Sequence, residues 1–315
     1  MLKTGWSVWN GESDLQAVTE VIKFKVTEHC DGMLCGDFLR QAGVSRRLVT
    51  KLKRVSMGIT RNGELLRTVD TVCSGDVIAL KKLDESQLEP NVKLDVPVAY
   101  EDENIVVFNK PAGMPVHPSI KHQGDTLGNC FSAIYKGLTF RPINRLDKDT
   151  SGLCAVAKSA HAANFYGGKI DKVYFAVTEG TPVPTGKIEN VEWTEHLNSY
   201  RIDAPIGRAG ESIIRREVRA DGQRAVTNYT IIKGNEMHSL VRVVLETGRT
   251  HQIRVHFSSV GHPLAGDDFY GGSLEKCKVQ ALHCGEMCFP TFEGKCVKVE
   301  CSIREDMEKL FEDID

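Results

Sequence analysis

Apolar and polar positions along the chain follow two different periods, and this pattern predicts a mixture of strands and helices. Residues 21–26 (VIKFKV) alternate apolar and charged side chains, as a half-buried strand does. After Arg46, the side chains of Leu48 and Leu52 recur four residues apart on one face, which predicts an amphipathic helix. Residues 105–108 (IVVF) form a continuous apolar run, which is typical of a strand buried on both faces.

The N-terminal part of the chain contains the elements of a small module. Two helices, separated by Gly43, precede short strands that turn at Asn62-Gly63 and Ser74-Gly75. Seven Lys or Arg residues and no acidic residue occur between Phe38 and Arg61. A merely solvated helix face usually carries both signs, so we favour a local polyanion-binding face over that alternative. The candidate substrate contacts on the second helix are Arg46, Arg47, Lys51 and Arg54.

Length and composition predict two domains. A chain of 315 residues is long enough for two hydrophobic cores. Residues 84–93 are polar and charged and contain a proline, which predicts a linker. We therefore expect an N-terminal region at 1–83, with its module at about 31–83, and a larger domain at 94–315.

A polar cluster stands between two apolar runs in residues 141–153 (RPINRLDKDTSGL). Asp147 lies between Arg145 and Lys148, and a carboxylate beside cations is expected to stay ionised at neutral pH. The Thr-Ser-Gly sequence that follows is typical of a turn. An ionised carboxylate held in one position can act as a nucleophile or a general base. The alternative interpretation is a capped surface turn with a solvated aspartate.

Two further segments carry candidate chemistry. In residues 172–180 (KVYFAVTEG), Lys172 and Tyr174 are two positions apart and therefore share one face of a strand. Downstream, Thr247 or Thr250 is expected to cap a helix that begins with QIRVHF. Arg254 lies near the start of that helix, and its planar guanidinium suits phosphates and carboxylates.

Composition restricts the function classes without selecting one. The net charge of −2 and the hydrophobic content of 41% are ordinary, so any basic surface must be local. The ten cysteines include no CxxC pair, and the spacing of Cys284, Cys288, Cys296 and His283 lacks the paired ligands of a structural zinc site. The sequence has neither a signal-peptide pattern nor an apolar run of membrane-spanning length. We therefore expect a cytoplasmic protein without a membrane or metal requirement.

Taken together and in order, these segments resemble a known family. NKPAGMPVHPS, NRLDKDTSGL, KVYFAVTEG and LETGRTHQIRVHFSSVGHPLAGDDFYGG are similar to the motifs of RluA-type pseudouridine synthases, over about residues 94–303. GVSRRLVTKLKR, RNGEL and SGDVIAL resemble the alpha-L RNA-binding module of a small-subunit ribosomal protein, over about residues 31–83. The resemblance implies an α+β fold: a mixed, largely antiparallel sheet with flanking helices and a central cleft, and a small α+β N-terminal RNA-binding module.

The resemblance also implies a reaction and the residues that carry it. A uridine is turned out of its RNA stack, its bond to ribose is broken, and the base is rejoined through carbon 5 without a cofactor. Asp147 matches the catalytic aspartate, which either attacks the ribose carbon or removes a ribose proton. Tyr174 matches the tyrosine that stacks on the uracil and can take the proton from carbon 5, and Arg254 matches the arginine that pairs with the aspartate. Arg145 matches an arginine near the flipped base and its phosphate, and Lys172 belongs to the K-x-Y pair.

The chain departs from the family pattern at Asn144, where members often carry histidine. The competing enzyme class is a glycosidase that uses Asp147 and Asp149 as a carboxylate pair, but no tryptophan lies near them in sequence. The non-enzyme alternative is an inert RNA-binding or ribosome-assembly protein on the same fold. The expected partner is structured RNA, with large-subunit ribosomal RNA favoured over transfer RNA, and the protein is expected to be a monomer.

Overall fold

The structure is a computed structural model that describes residues 21–44, 46–81, 88–119, 121–197 and 199–312. The chain divides into two compact units, Met1–Glu85 and Ser86–Asp315. Residues 88–93, in the segment expected to be a linker, belong to the second unit. There the backbone N–H of Asn91 donates to the carbonyl of Asn129, and Leu88 packs on its apolar core.

The first unit is a small antiparallel sheet packed against two helices. The strands occur in the order β1, β4, β2, β3. Asn62 and Gly63 both have positive φ angles, 51° and 93°, as the predicted Asn-Gly hairpin turn requires. Phe38, Leu52 and Ile78 belong to its buried core. The elements are β1 (Val21–Lys25), α1 (Cys35–Gln41), α2 (Arg46–Leu52), β2 (Ile59–Arg61), β3 (Glu64–Leu65) and β4 (Val77–Lys81).

The second unit is built around a large sheet, with helices packed against it. Its first elements are β5 (Val98–Glu101), β6 (Ile105–Lys110), α3 (Leu127–Ile134), β7 (Arg141–Pro142), β8 (Ser151–Ala157), α4 (Ala160–Tyr166) and β9 (Asp171–Glu179). Next come β10 (Glu192–His196), β11 (Ser199–Asp203), β12 (Ile206–Arg208), β13 (Arg216–Val218), β14 (Val226–Gly234) and β15 (His238–Leu245). The last are α5 (Gln252–Ser259), β16 (Leu282–Pro290), β17 (Cys296–Glu300) and α6 (Glu305–Glu308).

The order of strands in the large sheet is β10-β11-β14-β15-β9-β16-β8-β6-β5, with β17 paired to β16 and β7 to β8. Among the described residues, every pair in this sheet is antiparallel except β8 with β16. Strands β12 and β13 form a separate hairpin. The predicted α+β class with a mixed, largely antiparallel sheet is confirmed.

One close approach fixes the centre of this sheet. Gly152 in β8 has a φ of +102°, and a Cβ atom there would lie 2.3 Å from the carbonyl oxygen of Cys284 in β16. Only glycine allows both the backbone angle and the contact. Because Cys284 also pairs with Tyr174 in β9, three residues from distant parts of the sequence align across β8, β16 and β9.

Candidate active site

Asp147 lies in the loop between β7 and β8, and Asn144 holds this loop in place. The Asn144 side-chain oxygen accepts the backbone N–H of Ala155 at 2.8 Å, and its amide donates to the carbonyl of Leu153 at 3.3 Å. The backbone N–H of Thr150 closes the turn by donating to the carbonyl of Asp147 at 3.2 Å. The position that departs from the family pattern therefore supplies an amide that binds the backbone of β8.

Lys110, at the end of β6, also holds the loop that carries Asp147. Its fully buried ammonium donates to the carbonyls of Pro111, Met114 and Lys148, at 2.8, 2.8 and 3.0 Å. Burial lowers the pKa of Lys110 to about 8, against an opposing effect of the Asp149 and Asp147 charges. All three N–H donors are used, so this lysine ties the NKPAG turn to the residue after Asp147.

Arg254, in the first turn of α5, lies between two carboxylates. Its guanidinium donates from Nε and Nη2 to the two oxygens of Asp267, both at 2.7 Å. Its Nη1 lies 3.4 Å from Oδ2 of Asp147. The Asp267 side chain is 1% exposed and that of Asp147 is 32% exposed. Asp267 therefore fixes the guanidinium from the interior, and the remaining nitrogen faces the more open carboxylate.

His251 is the second group facing Asp147. Its Nε2 lies 3.7 Å from Oδ2 of Asp147, and its Nδ1 lies 2.8 Å from the Tyr270 hydroxyl. The same hydroxyl accepts the backbone N–H of Arg216 at 3.1 Å. Burial lowers the pKa of His251, although the Asp147 carboxylate acts in the opposite direction. The positive charge beside Asp147 at neutral pH therefore comes from Arg254.

The predicted cap of α5 is wrong. Neither Thr247 nor Thr250 caps the helix: the N-cap residue is His251, in the left-handed conformation with φ 57°. Instead, the Thr247 hydroxyl donates to the side-chain oxygen of Gln252 at 2.8 Å. His251 therefore combines a left-handed backbone with a ring that lies between Tyr270 and Asp147. Strained backbone of this kind is commonly found at functional sites.

Tyr174 and Lys172 share a face of β9, as expected from strand alternation. Tyr174 is 8% exposed. Burial raises the pKa of its phenol well above the ordinary value, and the charge of Asp147 acts in the same direction, so the two groups are within electrostatic reach. Lys172 donates to the carbonyl of Ile170 at 2.7 Å.

The sequence neighbours of Asp147 do not act as its charge partners. Arg145 is exposed, and its charge contributes to lowering the pKa of His117, after the larger effect of burial. Lys148 lies 4.0 Å from Asp149. The cation that contacts Asp147 comes from α5, more than one hundred residues later in the chain.

The predicted basic face lies in the first unit. The side chains of Arg46, Lys51 and Arg54 are exposed, on α2 or just after it, while Leu52 is buried. The side chain of Arg47 lies outside the described part of the structure.

Residues late in the chain support the loop that carries Asp147. The amide of Gln280 donates to the Thr150 hydroxyl at 2.7 Å. The Ser151 hydroxyl lies 2.8 Å from Nδ1 of His283 and accepts from Arg304 Nη1 at 3.2 Å. The other ring nitrogen of His283 lies 3.1 Å from the sulfur of Cys301. His283 therefore links Ser151, directly after the Asp147 loop, to Cys301 near the end of the chain.

Sequence reasoning missed Lys110, Asp267, Tyr270 and His251 as parts of the site. Each lies in a segment that carries the family resemblance, but a buried ion pair or a lysine donating to carbonyls leaves no periodic signal in one sequence. Arg215 and Arg216, in a region that contributed little to the sequence argument, also lie close to the site. In the described ranges, no cluster of three or more potential metal ligands occurs, and no helix has the length and apolar character to cross a bilayer.

Comparison with known proteins gives consistent matches. A family model described as RNA pseudouridylate synthase matches residues 104–259. The "Uncharacterized RNA pseudouridine synthase YjbO" of Bacillus subtilis (strain 168) is 34% identical over 290 residues, which cover 88% of this chain and 98% of that protein. The "Ribosomal large subunit pseudouridine synthase D" of Pseudomonas aeruginosa is 38% identical over 224 residues, 68% of this chain and 66% of that protein.

A solved structure shares the fold. "Human RNA Pseudouridylate Synthase Domain Containing 1" has a TM-score of 0.55 at 24% identity, over 68% of this chain and 86% of that one. At this identity the likeness concerns the fold alone.

Proposed function

The chain belongs to the RNA pseudouridylate synthase family, and from this premise we propose that Asp147 carries the isomerisation of a uridine in large-subunit ribosomal RNA. The expected enzyme class, an RNA pseudouridine synthase, is confirmed by the relatives and the family model. The observation that supports Asp147 as the reactive group is its position beside the Arg254 guanidinium, which Asp267 holds from the interior.

Two routes use the same carboxylate. Attack of Asp147 on C1′ forms an ester with the ribose and releases the uracil as an anion. Removal of the C2′ proton by Asp147 instead gives a glycal, the same uracil anion and a protonated aspartic acid. After the base turns, C5 bonds to C1′ in both routes. In the first route this displaces the Asp147 carboxylate from C1′, and in the second the protonated aspartic acid returns its proton to C2′. The adduct then loses the proton on C5 and takes up a proton on N1, which gives pseudouridine.

Arg254 keeps the carboxylate ready for either route. A fixed guanidinium holds one oxygen of a nearby carboxylate in a defined position. Because Asp267 already orients Arg254, little reorganisation is required when the substrate enters.

Tyr174 serves as the platform for the uracil. It lies on the face of β9 that also carries Lys172, and burial raises the pKa of its phenol. A phenol is neutral at physiological pH, and a neutral aromatic ring offers stacking to a flipped base. We therefore favour the stacking role over that of a general base.

The choice of ribosomal RNA rests on two lines of support. Several relatives are named ribosomal large subunit pseudouridine synthase D. The first unit carries exposed cations on α2, including Arg46 and Lys51, suited to structured RNA. We further propose that the protein acts in the cytoplasm as a monomer.

The test uses the full chain and RNA from cells that lack it. Wild-type protein is incubated with total RNA, and pseudouridine is mapped before and after. We expect new pseudouridine in large-subunit ribosomal RNA with wild type and none with Asp147→Ala or Asp147→Asn, while both variants bind RNA as wild type does. Full activity in Asp147→Asn would refute the role of Asp147. New pseudouridine confined to transfer RNA would refute the target but keep the mechanism.

A further inference from the structure

The hairpin of β12 and β13 carries two large apolar side chains into solvent. Ile213 is 78% exposed and Ile214 is 64% exposed, in the loop between the two strands. Adjacent isoleucines at this exposure lose the free energy that burial would give them, at about 25 cal/mol for each Å² left in water. Two adjacent exposed apolar side chains at a loop tip form a patch of the kind that contacts a binding partner.

The loop is held in shape by its own polar contacts. The guanidinium of Arg216 donates to the carbonyls of Ile213, Ile214 and Arg215, each at 3.1 Å. The Ser212 hydroxyl oxygen accepts the backbone N–H groups of Ile214 and Arg215, at 3.3 and 2.9 Å. These contacts satisfy the backbone and leave the two isoleucine side chains pointing outward, so the loop presents a preformed apolar tip.

This tip stands beside the candidate active site. The backbone N–H of Arg216 donates to the Tyr270 hydroxyl, which contacts His251, which in turn faces Asp147. The guanidinium carbon of Arg215 lies 5.8 Å from the centre of the Phe269 ring, and that of Arg254 lies at the same distance. Phe269 is itself 40% exposed. The apolar surface at this rim therefore includes both isoleucines and an aromatic ring that two arginines contact.

The surroundings of the tip suit a nucleic acid. A pocket of about 410 Å³ lies between the hairpin and α5, and Arg215, Arg216 and Ser258 are among its lining residues. Cations attract phosphates, whereas apolar side chains enter between bases and hold them apart. A protein partner that buried the isoleucines would have to cover these arginines as well.

Resting on the proposed function, we infer that Ile213 and Ile214 form an apolar wedge that enters the base stack of the substrate RNA beside the target uridine. The wedge fills the gap left when the uridine turns into the site, while the exposed Arg215 faces an adjoining phosphate. The free energy gained when the two isoleucines enter the stack offsets the cost of unstacking the uridine. The wedge therefore raises the reaction rate on paired RNA and has little effect on RNA whose target base is already unstacked.

The experiment compares two forms of one RNA sequence. The sequence surrounds whichever uridine wild-type protein converts in total RNA from cells that lack it, and it is prepared as a hairpin and as an unpaired strand. The variants are Ile213→Ser/Ile214→Ser, the apolar Ile213→Leu/Ile214→Leu, and Leu197→Ser as a control. Leu197 is 86% exposed in the turn between β10 and β11, at the opposite end of β11 from Asp203. The measured quantity is kcat/KM for pseudouridine formation.

We expect the double serine variant to lose about tenfold or more on the hairpin and to stay within about twofold of wild type on the unpaired strand, since unstacking costs a few kcal/mol per step. The double leucine variant and Leu197→Ser should match wild type on both forms. Equal losses on the two RNAs would overturn the wedge in favour of a general contact. An unchanged rate on the hairpin would overturn it as well and would direct attention to a protein partner. If wild type forms no pseudouridine at all, the proposed function fails, which is distinct from failure of the wedge alone.

Discussion

Arg254 lies between two carboxylates that differ in burial and in distance from the guanidinium. Asp267 is buried and binds it with two short hydrogen bonds, whereas Asp147 is partly exposed and lies at 3.4 Å. Burying a charged pair gains little stability compared with apolar packing, but removing one partner leaves the other uncompensated. The pair therefore holds the guanidinium in one orientation beside the Asp147 carboxylate.

This interpretation predicts that Asp267→Asn is costly. It removes the buried carboxylate that binds Arg254 and leaves only the longer, more exposed contact with Asp147, so we expect the free energy of unfolding to fall by about 3 kcal/mol. Pseudouridine formation should also fall, through kcat more than through KM. Urea denaturation and steady-state kinetics measure the two effects. The neighbouring Asp268 is exposed, so Asp268→Asn is the matched control, and an equal effect in both variants would contradict the role assigned to Asp267.

At the residue scale, motifs in a fixed order drew attention to Asp147, Tyr174 and Arg254, and the structure places Arg254 beside Asp147. The sequence did not predict which other residues surround Asp147. The expected charge partners were wrong where they were inferred from adjacency, since Arg145 is exposed near His117 and Lys148 lies near Asp149. Adjacent residues in an irregular loop point in different directions, and only the folded backbone decides which of them meet.

Elements bring the site together through strand pairing that crosses long stretches of sequence. The parallel contact of β8 with β16 joins Gly152 to Cys284, and β9 adds Tyr174 on the other side. The buried run of β6 and the amphipathic spacing of α2 could be predicted because their periods are local. The pairing of β8 with β16 could not, because no period in either strand specifies a partner so far away.

Gly152→Ala tests this pairing. The new methyl group would meet the Cys284 carbonyl at 2.3 Å, and φ of +102° disfavours any side chain, so β8 and β16 must separate. We expect a fall in melting temperature together with a loss of activity. Gly137→Ala provides the comparison, because Gly137 has a φ of +82° but open space around it. If both variants lose the same stability, the close approach of the strands is not what requires glycine.

The basic helix α2 gives a prediction of another kind. Lys51→Gln/Arg54→Gln removes two exposed cations, so binding to structured RNA should weaken uniformly across sequences. The slope of log affinity against log salt should become shallower by up to about 2. Fluorescence anisotropy at several salt concentrations measures this slope. Lys23→Gln/Lys25→Gln on β1 removes two exposed cations of the same unit, and an equal change there would show that binding is not localised to α2.

The whole molecule consists of two units with different kinds of surface chemistry. The first unit carries exposed cations that suit the charge of any RNA, while the second unit contains the Asp147 cluster proposed as the active site. Chain length and the polar segment at 84–93 indicated two parts of the chain. The sequence did not indicate that residues 88–93 belong to the second unit, since a polar segment resembles a linker whether or not it packs against a core.

Stability of the whole protein should decline in mild acid. Burial lowers the pKa values of His256 and His283 to about 4. Below pH 6.5 the unfolded chain binds protons at these positions while the folded chain does not, so the free energy of unfolding falls as pH decreases towards 4. Each histidine should contribute about 2 kcal/mol of this loss between pH 7 and pH 5.

Urea denaturation at the two pH values measures the loss. The variant His256→Gln should show a smaller difference between pH 7 and pH 5 than wild type, whereas His161→Gln, at an exposed position, should retain the full difference. An identical pH dependence in wild type and His256→Gln would rule out His256 as a source of acid sensitivity.

The support that Gln280, His283 and Arg304 give to the Asp147 loop has a consequence for synthesis. Arg304 and Ser151 are 153 positions apart, an interval that takes roughly 8–30 s to translate at about 5–20 residues per second. During that time a nascent chain already carries Asp147 but lacks the residues that support its loop. We therefore expect the nascent enzyme to be inactive until translation has passed these late positions.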